Sequence, residues 1–93
     1  MPSVKDVVVN KPSEDQIAKC KIWPIWTCEA SIFEWEYSQT EKCYLLEGKV
    51  TVTDNPEGAE SITFRAGELV ELPAGLKCIW KVEEAVKKHY DFV

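Results

Sequence analysis

The side chains of this sequence best suited to nucleophilic or metal chemistry are four thiols and one imidazole. The cysteines are Cys20, Cys28, Cys43 and Cys78, and the histidine is His89. No C-x-x-C pair occurs, so the spacing predicts neither a structural zinc site nor a redox pair. The N-terminal residues lack the apolar core of a secretion signal, which favours free, buried thiols over disulfides. A lone histidine on a strand is more often a surface or hydrogen-bonding residue than a ligand.

Cys78 lies in a segment, residues 66–82, whose pattern predicts a strand, a tight turn and a second strand. Gly67 opens the segment, and Pro73 and Gly75 form the turn. After the turn the residues alternate between two faces, with Cys78, Trp80 and Val82 on one and Lys77 and Lys81 on the other. This period of two is typical of a strand that buries one face and exposes the other. We therefore expect a barrel whose interior holds the cysteine and the tryptophan.

Length and composition limit what the chain can be. Its 93 residues predict a single domain, residues 1–93, and a hydrophobic content of 45% suffices for a core without disulfides. The net charge is −5 and no basic patch is interleaved with aromatic residues, so nucleic acid is not an expected partner. No apolar run approaches the roughly 20 residues of a membrane-spanning helix. We expect a soluble intracellular protein, cytoplasmic rather than organellar.

The other elements follow from alternation and from turn residues. Strands are predicted over residues 4–10, 22–28, 31–37, 42–53, 61–65, 69–73, 76–82 and 86–93, with a polar hairpin turn over 54–60. The capping-box pattern of Ser13 with Gln16 predicts a short helix over residues 13–19. Many short strands separated by turn signals, with one small helix, are typical of an all-β sandwich or barrel.

Three details of these strands bear on a pocket. Pro24 cannot donate a hydrogen bond to a ladder, which makes its strand an edge strand. Gly48 predicts a bend or bulge in the longest strand. The strand over residues 31–37 alternates, with Phe33, Trp35 and Tyr37 expected to face inward and Glu34 and Glu36 to face solvent. The lysines of the last strand are also expected in solvent.

Two spacing patterns resemble the two motifs of the cupin family. Gly67, Pro73, Gly75 and Cys78 fill G-x5-P-x-G-x2-C, which resembles the second motif with cysteine in place of its usual histidine. Glu41 and Gly48 fill the E-x6-G end of the first motif, and counting back from Glu41 places Trp35 and Tyr37 where that motif has two histidines. Three stretches, WPIW (23–26), CYLLEGKVTVT (43–53) and KHYDF (88–92), are similar to short single-domain cupins related to ureidoglycine aminohydrolase.

The resemblance implies a small jelly-roll barrel of two antiparallel sheets with a pocket at one end. Ureidoglycine aminohydrolases resemble two such domains and use a metal, whereas this chain is one domain with Trp35, Tyr37, Glu41 and Cys78 at the metal positions. Tryptophan cannot ligate a metal, a tyrosine must first lose a proton with a pKa of about 10, and two remaining ligands are too few. We therefore expect no cofactor. A divalent metal at Glu41 and Cys78, with His89 as a third ligand, is the less favoured alternative.

Within such a pocket Glu41 and Cys78 are the candidate catalytic residues, and Trp35, Tyr37 and Trp80 are the candidate ligand-binding residues. Desolvation raises the pKa of a carboxyl group, which would suit Glu41 to act as a general acid or base near neutral pH. The alternative is a structural glutamate, hydrogen-bonded to Tyr37 or to backbone. Cys78 would need a nearby cation to become a thiolate, and a neighbouring carboxylate raises the pKa of a thiol instead. A neutral buried thiol is therefore favoured over a nucleophile.

Three functions remain open. The first is a metal-free module that binds a small polar metabolite between aromatic walls, with Glu41 as its polar anchor. The second is an enzyme acting on a small ureide-like or carbonyl compound, with Glu41 as acid or base and Cys78 as helper. The third is a structural or interaction barrel without an active site, in which residues 22–26 form a dimer or partner surface. Cupins often pair through edge strands, so the resemblance also admits a homodimer.

Overall fold

The computed structural model describes residues 2–54 and 60–93 and is built mostly of antiparallel strands. In that part of the chain the elements are α1 (Glu14–Cys20), β1 (Val8–Asn10), β2 (Ile25–Cys28), β3 (Ser31–Glu36), β4 (Glu41–Asp54), β5 (Ser61–Arg65), β6 (Leu69–Leu72) and β7 (Lys77–Phe92). The predicted all-β class with one short helix is confirmed. The hairpin turn predicted over 54–60 falls largely on residues 55–59, which lie outside the described residues. No helix of the described residues is long and apolar enough to cross a membrane.

The N-terminal segment differs from its prediction as a strand over residues 4–10. A short 3-10 helix occupies Val4–Asp6, and only β1 is extended. The helix forms because the Ser3 and Asp6 side chains cap it reciprocally. The backbone N–H of Val4 also donates to Asp54 Oδ1 at 2.8 Å, which ties this segment to the end of β4. The β-branched residues alone predicted a longer strand, and the local caps override them.

The helix α1 confirms the capping-box prediction. Ser13 Oγ accepts from the backbone N–H of Gln16 at 3.3 Å, and Gln16 Oε1 accepts from the backbone N–H of Ser13 at 2.9 Å. These two bonds satisfy N–H groups that a helix end otherwise leaves without partners. Cys20 is the buried residue of the helix, so its last turn is the part that docks against the strands.

Strands β4 and β7 occupy the centre of the sheet and pair with each other along nearly their whole lengths. The first part of β4 also pairs with β6, and its second part pairs with β5. The first part of β7 also pairs with β3, and its last part pairs with β2. Because β4 and β7 are antiparallel, the result is two halves, β1-β6-β4-β7-β2 and β5-β4-β7-β3. The strand β2 lies at an edge, as Pro24 predicted, and the whole agrees with the expected jelly roll.

The two halves meet where β4 and β7 bend. Register shifts interrupt the pairing of these strands between Leu45 and Val50, and Gly48 lies there with a φ of +100°. A Cβ at this position would come within 2.4 Å of the carbonyl oxygen of Ala85, so the close approach of β7 requires glycine. The bend predicted at Gly48 is therefore confirmed, and it divides the long antiparallel pair of β4 and β7 between the two halves of the sheet.

Strand β7 corrects a prediction of two separate strands, 76–82 and 86–93. The ladder continues between them, with Glu84 opposite Lys49 and Lys87 opposite Glu47. The intervening residues show no apolar alternation, so the sequence pattern predicted a break. The partner residues on β4, which are distant in sequence, hold the segment extended. Cys78, from the first of the two predicted strands, therefore lies on the same continuous strand as Lys87 and Lys88, from the second.

The core lies between the two halves. Its largest fully buried side chains are Trp80, Phe64, Leu45, Leu72 and Leu76. The indole rings of Trp26 and Trp80, which come from different halves, pack edge to face with centroids 6.2 Å apart. The inward orientation predicted for Trp80 is confirmed, and next to it the packing leaves a cavity.

Candidate ligand site

A cavity of about 260 Å³ opens between the two halves of the sheet. Its walls consist of seven aromatic side chains and one pair of opposite charges: Trp26, Phe33, Trp35, Tyr37, Trp80, Tyr90, Phe92, Glu41 and Lys88. We call it the aromatic cavity. Four of the five residues predicted to line a pocket, namely Trp35, Tyr37, Glu41 and Trp80, lie on it. Cys78, the fifth, does not.

Strand pairing explains the aromatic wall. Phe33 lies opposite Trp80 in the β3–β7 ladder, and their rings stack at 16° with centroids 6.0 Å apart. Trp26 reaches both rings from β2, edge to face at 6.4 Å from Phe33. Behind them the buried Phe64 packs its ring against Trp80 at 5.8 Å. Packed aromatic pairs of these geometries are each worth about 0.5–1.5 kcal/mol beyond their burial, so the wall is held in place.

Glu41 and Lys88 form a buried ion pair on the same cavity. Their exposed fractions are 3% and 5%, and Lys88 Nζ donates to Glu41 Oε2 at 2.5 Å. The same ammonium lies over two indole rings, 4.5 Å from the Trp80 centroid and 4.8 Å from the Trp26 centroid. The negative carboxylate of Glu41 and the electron-rich faces of the Trp26 and Trp80 rings therefore all attract the Lys88 ammonium and hold it in place. The sequence analysis expected this lysine in solvent, and the structure corrects that expectation.

The pair gives Glu41 the partner that a buried carboxylate needs. A buried ion pair contributes little net stability, because desolvation offsets the Coulomb attraction, yet removal of one partner is strongly unfavourable. Because the net contribution of such a pair to folding stability is small, stability alone does not explain why the pair lies at the wall of a cavity. Both residues line the cavity.

Tyr37 adds a neutral hydroxyl to this group. Burial, together with the adjacent Glu41 carboxylate, raises the pKa of Tyr37 well above its usual range. The phenol therefore keeps its proton next to the Glu41 carboxylate. The Tyr37 backbone fixes the ring, since its N–H donates to the Leu76 carbonyl at 2.9 Å and its carbonyl accepts from Gly75 at 2.6 Å. The predicted contact between Glu41 and Tyr37 is present.

Trp35 and Phe92 border the opening of the cavity. Both line it, and they are 50% and 42% exposed. The prediction that Phe33, Trp35 and Tyr37 all face inward is therefore modified, because Trp35 has one side in solvent. Its ring meets Tyr37 edge to face, with the ring centroids 6.4 Å apart.

Cys78 is placed away from the aromatic cavity. Its side chain is fully buried, and Sγ lies 3.6 Å from the Trp35 carbonyl oxygen, which accepts from the thiol. Burial is the main cause that raises the pKa of Cys78 to about 11, against a smaller lowering by the Trp80 indole. Trp80 Nε1 makes no hydrogen bond of good geometry with the described residues, so that contact is only a weak electrostatic one. The candidate catalytic role of Cys78 thus lacks both access and a thiolate.

Alkylation should show this difference among the four cysteines, all of which are free as predicted. In the folded protein at pH 8, iodoacetamide should modify the half-buried Cys28 and leave Cys78 unmodified. A thiol with a pKa of about 11 forms little thiolate below that pH, and a buried one is also shielded. Peptide mass spectrometry measures the modified fraction at each site. Modification of Cys78 at a rate equal to that of Cys28 would contradict the assignment.

The donor set does not fit the metal site of a typical cupin. Trp35 cannot ligate, Tyr37 holds its proton, and the Lys88 ammonium occupies the carboxylate of Glu41. His89 is turned to the other side of β7, where Nδ1 lies 2.9 Å from the Trp23 carbonyl oxygen. Within residues 2–54 and 60–93, no three His, Cys, Asp or Glu side chains converge as metal ligands.

Comparisons with known proteins place these features in a family. A model for the EutQ-like cupin domain matches residues 17–90. A DUF861 family protein from Thermotoga maritima is 41% identical, with 95% of this chain and 100% of that chain covered and a TM-score of 0.88. Comparison with curated proteins gave no match.

More distant structures share the fold. The EutQ protein of Clostridium difficile is 19% identical, with 73% of this chain and 52% of that chain covered and a TM-score of 0.65. A protein of unknown function (DUF1255) from Acidithiobacillus ferrooxidans is 14% identical, with 70% and 60% covered and a TM-score of 0.63. At these identities the likeness extends to the fold alone.

Proposed function

The chain belongs to the EutQ-like cupin domain family, and on that premise we propose that it binds a small polar metabolite in the aromatic cavity without a metal ion. The observation that carries the proposal is the Glu41–Lys88 pair, a buried polar group at the wall of an otherwise aromatic cavity. Ligand sites are concave, mostly apolar and furnished with a few placed polar groups. The aromatic cavity has each of these properties.

The likeness to ureidoglycine aminohydrolases directs the choice of ligands to test. It suggests amides, ureides and small acids as the first compounds. Glu41, Lys88 and Tyr37 would orient the polar group of such a compound, while Trp26, Trp80 and the other rings cover its apolar part. The volume of about 260 Å³ suits a ligand smaller than the drug-sized molecules that fill pockets of roughly 300–1,000 Å³.

A thermal-shift screen with these compounds tests the proposal. Hits should raise the melting temperature of the wild type, and Glu41→Gln should abolish most of that rise because it removes the charge of the anchor. Glu71→Gln is the matched control, since the same substitution there changes an exposed carboxylate that pairs with Lys42 at 3.7 Å. If Glu41→Gln responds to every hit as Glu71→Gln does, the ligands bind elsewhere and the proposal is wrong.

A second candidate function is acid–base catalysis on a small carbonyl compound. It is favoured by three ionisable side chains that line one cavity: the Glu41 carboxylate, the Lys88 ammonium that donates to it, and the neutral Tyr37 phenol beside them. Such an arrangement could move a proton to or from a bound substrate. Turnover of a screening hit, followed by mass spectrometry and lost in Glu41→Gln, would distinguish this function from binding alone.

A further inference from the structure

We propose that the aromatic cavity selects planar ligands without net charge that carry an amide-type group, with a carbonyl oxygen beside an N–H. This inference rests on the proposed function, because it names the ligand class for the same cavity. It starts from the charges of the lining residues, of which Glu41 and Lys88 are the charged pair and cancel each other.

Charge balance is the first argument. A ligand anion would have to share Lys88 with Glu41, and a ligand cation would have to share Glu41 with Lys88. Either ligand would leave one of three charges uncompensated in a site whose other walls are aromatic rings. Burying an uncompensated charge is unfavourable, so a ligand without net charge is preferred.

Hydrogen-bonding capacity is the second argument. The Lys88 ammonium has three N–H donors, of which one meets Glu41 Oε2; its other contacts given by the described residues are with the faces of the Trp26 and Trp80 rings, which offer no carbonyl or carboxylate acceptor. The carboxylate of Glu41 offers about four acceptor positions, and among the described residues the hydrogen bond from Lys88 uses one of them. A spare donor therefore lies next to a spare acceptor. An amide presents the complementary pair, a carbonyl oxygen for Lys88 and an N–H for Glu41.

The walls supply the third argument. Seven aromatic side chains line the cavity, and aromatic walls favour flat ligands that can pack against ring faces and edges. Trp35 and Phe92, half-exposed at the opening, would cover the outer part of a ring whose amide group lies at the ion pair. Planarity and a terminal amide group together define the ligand class.

Calorimetric titration with benzamide, benzoate and benzamidine tests the inference. The three probes share a planar ring and differ mainly in the charge of one group. Wild-type protein should bind benzamide at least about tenfold more tightly than either charged probe, a factor that corresponds to about 1.4 kcal/mol. Glu71→Gln should keep this order, because it alters a carboxylate outside the cavity.

Substitutions in the pair should change the order in opposite directions. Glu41→Gln leaves Lys88 without its partner, so benzoate should become the preferred probe. Lys88→Met leaves the carboxylate without its partner, so benzamidine should become the preferred probe. The double variant Glu41→Gln/Lys88→Met again has no charge in the cavity and should discriminate against both charged probes, which keeps the test valid where a single variant fails to fold.

The outcomes separate this inference from the proposed function. If benzoate or benzamidine binds the wild type as tightly as benzamide, the ligand class is wrong, although the cavity still binds small molecules. Absence of binding by all three probes also overturns the inference. A hit from the thermal-shift screen that depends on Glu41 would then still support the proposed function.

Discussion

Replacement of Lys88 by methionine is expected to lower the free energy of unfolding by about 3–5 kcal/mol, the usual cost of removing one partner of a buried ion pair. Methionine has about the length of the lysine stem, so the packing changes little. The loss arises because Glu41, 3% exposed, is left buried without the ammonium that compensates it. Small domains have a total stability of about 5–15 kcal/mol, so the variant should unfold at a visibly lower denaturant concentration.

Two further variants make this measurement specific. Lys42→Met is the matched control, because Lys42 directly follows Glu41 in the sequence and its ion pair with Glu71, at 3.7 Å, is exposed. Such a surface pair is worth about 1 kcal/mol or less. Adding Glu41→Gln to Lys88→Met removes the stranded charge and should recover most of the loss. If Lys88→Met costs no more than Lys42→Met, the pair is not buried as described.

Gly48→Ala is the second substitution with a large expected effect, a loss of about 3 kcal/mol or more. A Cβ there would lie 2.4 Å from Ala85 O, 2.7 Å from Val86 Cα and 2.8 Å from Glu84 O. All three atoms belong to the backbone of β7 and cannot yield by a side-chain rotation. The φ of +100° adds conformational strain to this overlap. Chemical denaturation measures the loss.

Gly67→Ala separates strain from overlap. Gly67 has a φ of +91°, yet a Cβ there meets no atom of residues 2–54 and 60–93 within 4 Å, its chain neighbours aside. Only the cost of the left-handed conformation applies, about 1–2 kcal/mol. A loss in Gly48→Ala that does not exceed the loss in Gly67→Ala would show that β7 does not press against β4 at the bend. The two-halved sheet, and with it the aromatic cavity, would then be incorrectly described.

Several parts of the fold could be predicted from local sequence because local forces determine them. The capping box of α1, the alternation along β3 and the turn at Pro73 and Gly75 depend on neighbouring residues. The inward positions of Tyr37, Glu41 and Trp80 followed from the cupin resemblance combined with that alternation. Gly48 marked the bend because few other residues fit such a conformation.

The features that could not be predicted from the sequence depend on contacts between residues that are far apart in it. The continuity of β7 comes from its register on β4, which no local pattern shows. Lys88 was expected in solvent because lysine is rarely buried without a partner. Its partner, Glu41, is 47 residues away. The signal that could have found it is the alternation of Val86, Lys88 and Tyr90, which places the lysine on the inward face.

The most direct test of the aromatic cavity as a ligand site is an NMR titration of the four indole N–H signals with the strongest hit of the thermal-shift screen. Trp26, Trp35 and Trp80 line the cavity, whereas Trp23 does not. We predict saturable shifts for these three signals, with the Trp23 signal nearly unchanged and all shifts reduced in Glu41→Gln. Saturable shifts at Trp23 alone, or no shift for a compound that calorimetry shows to bind, would contradict the account.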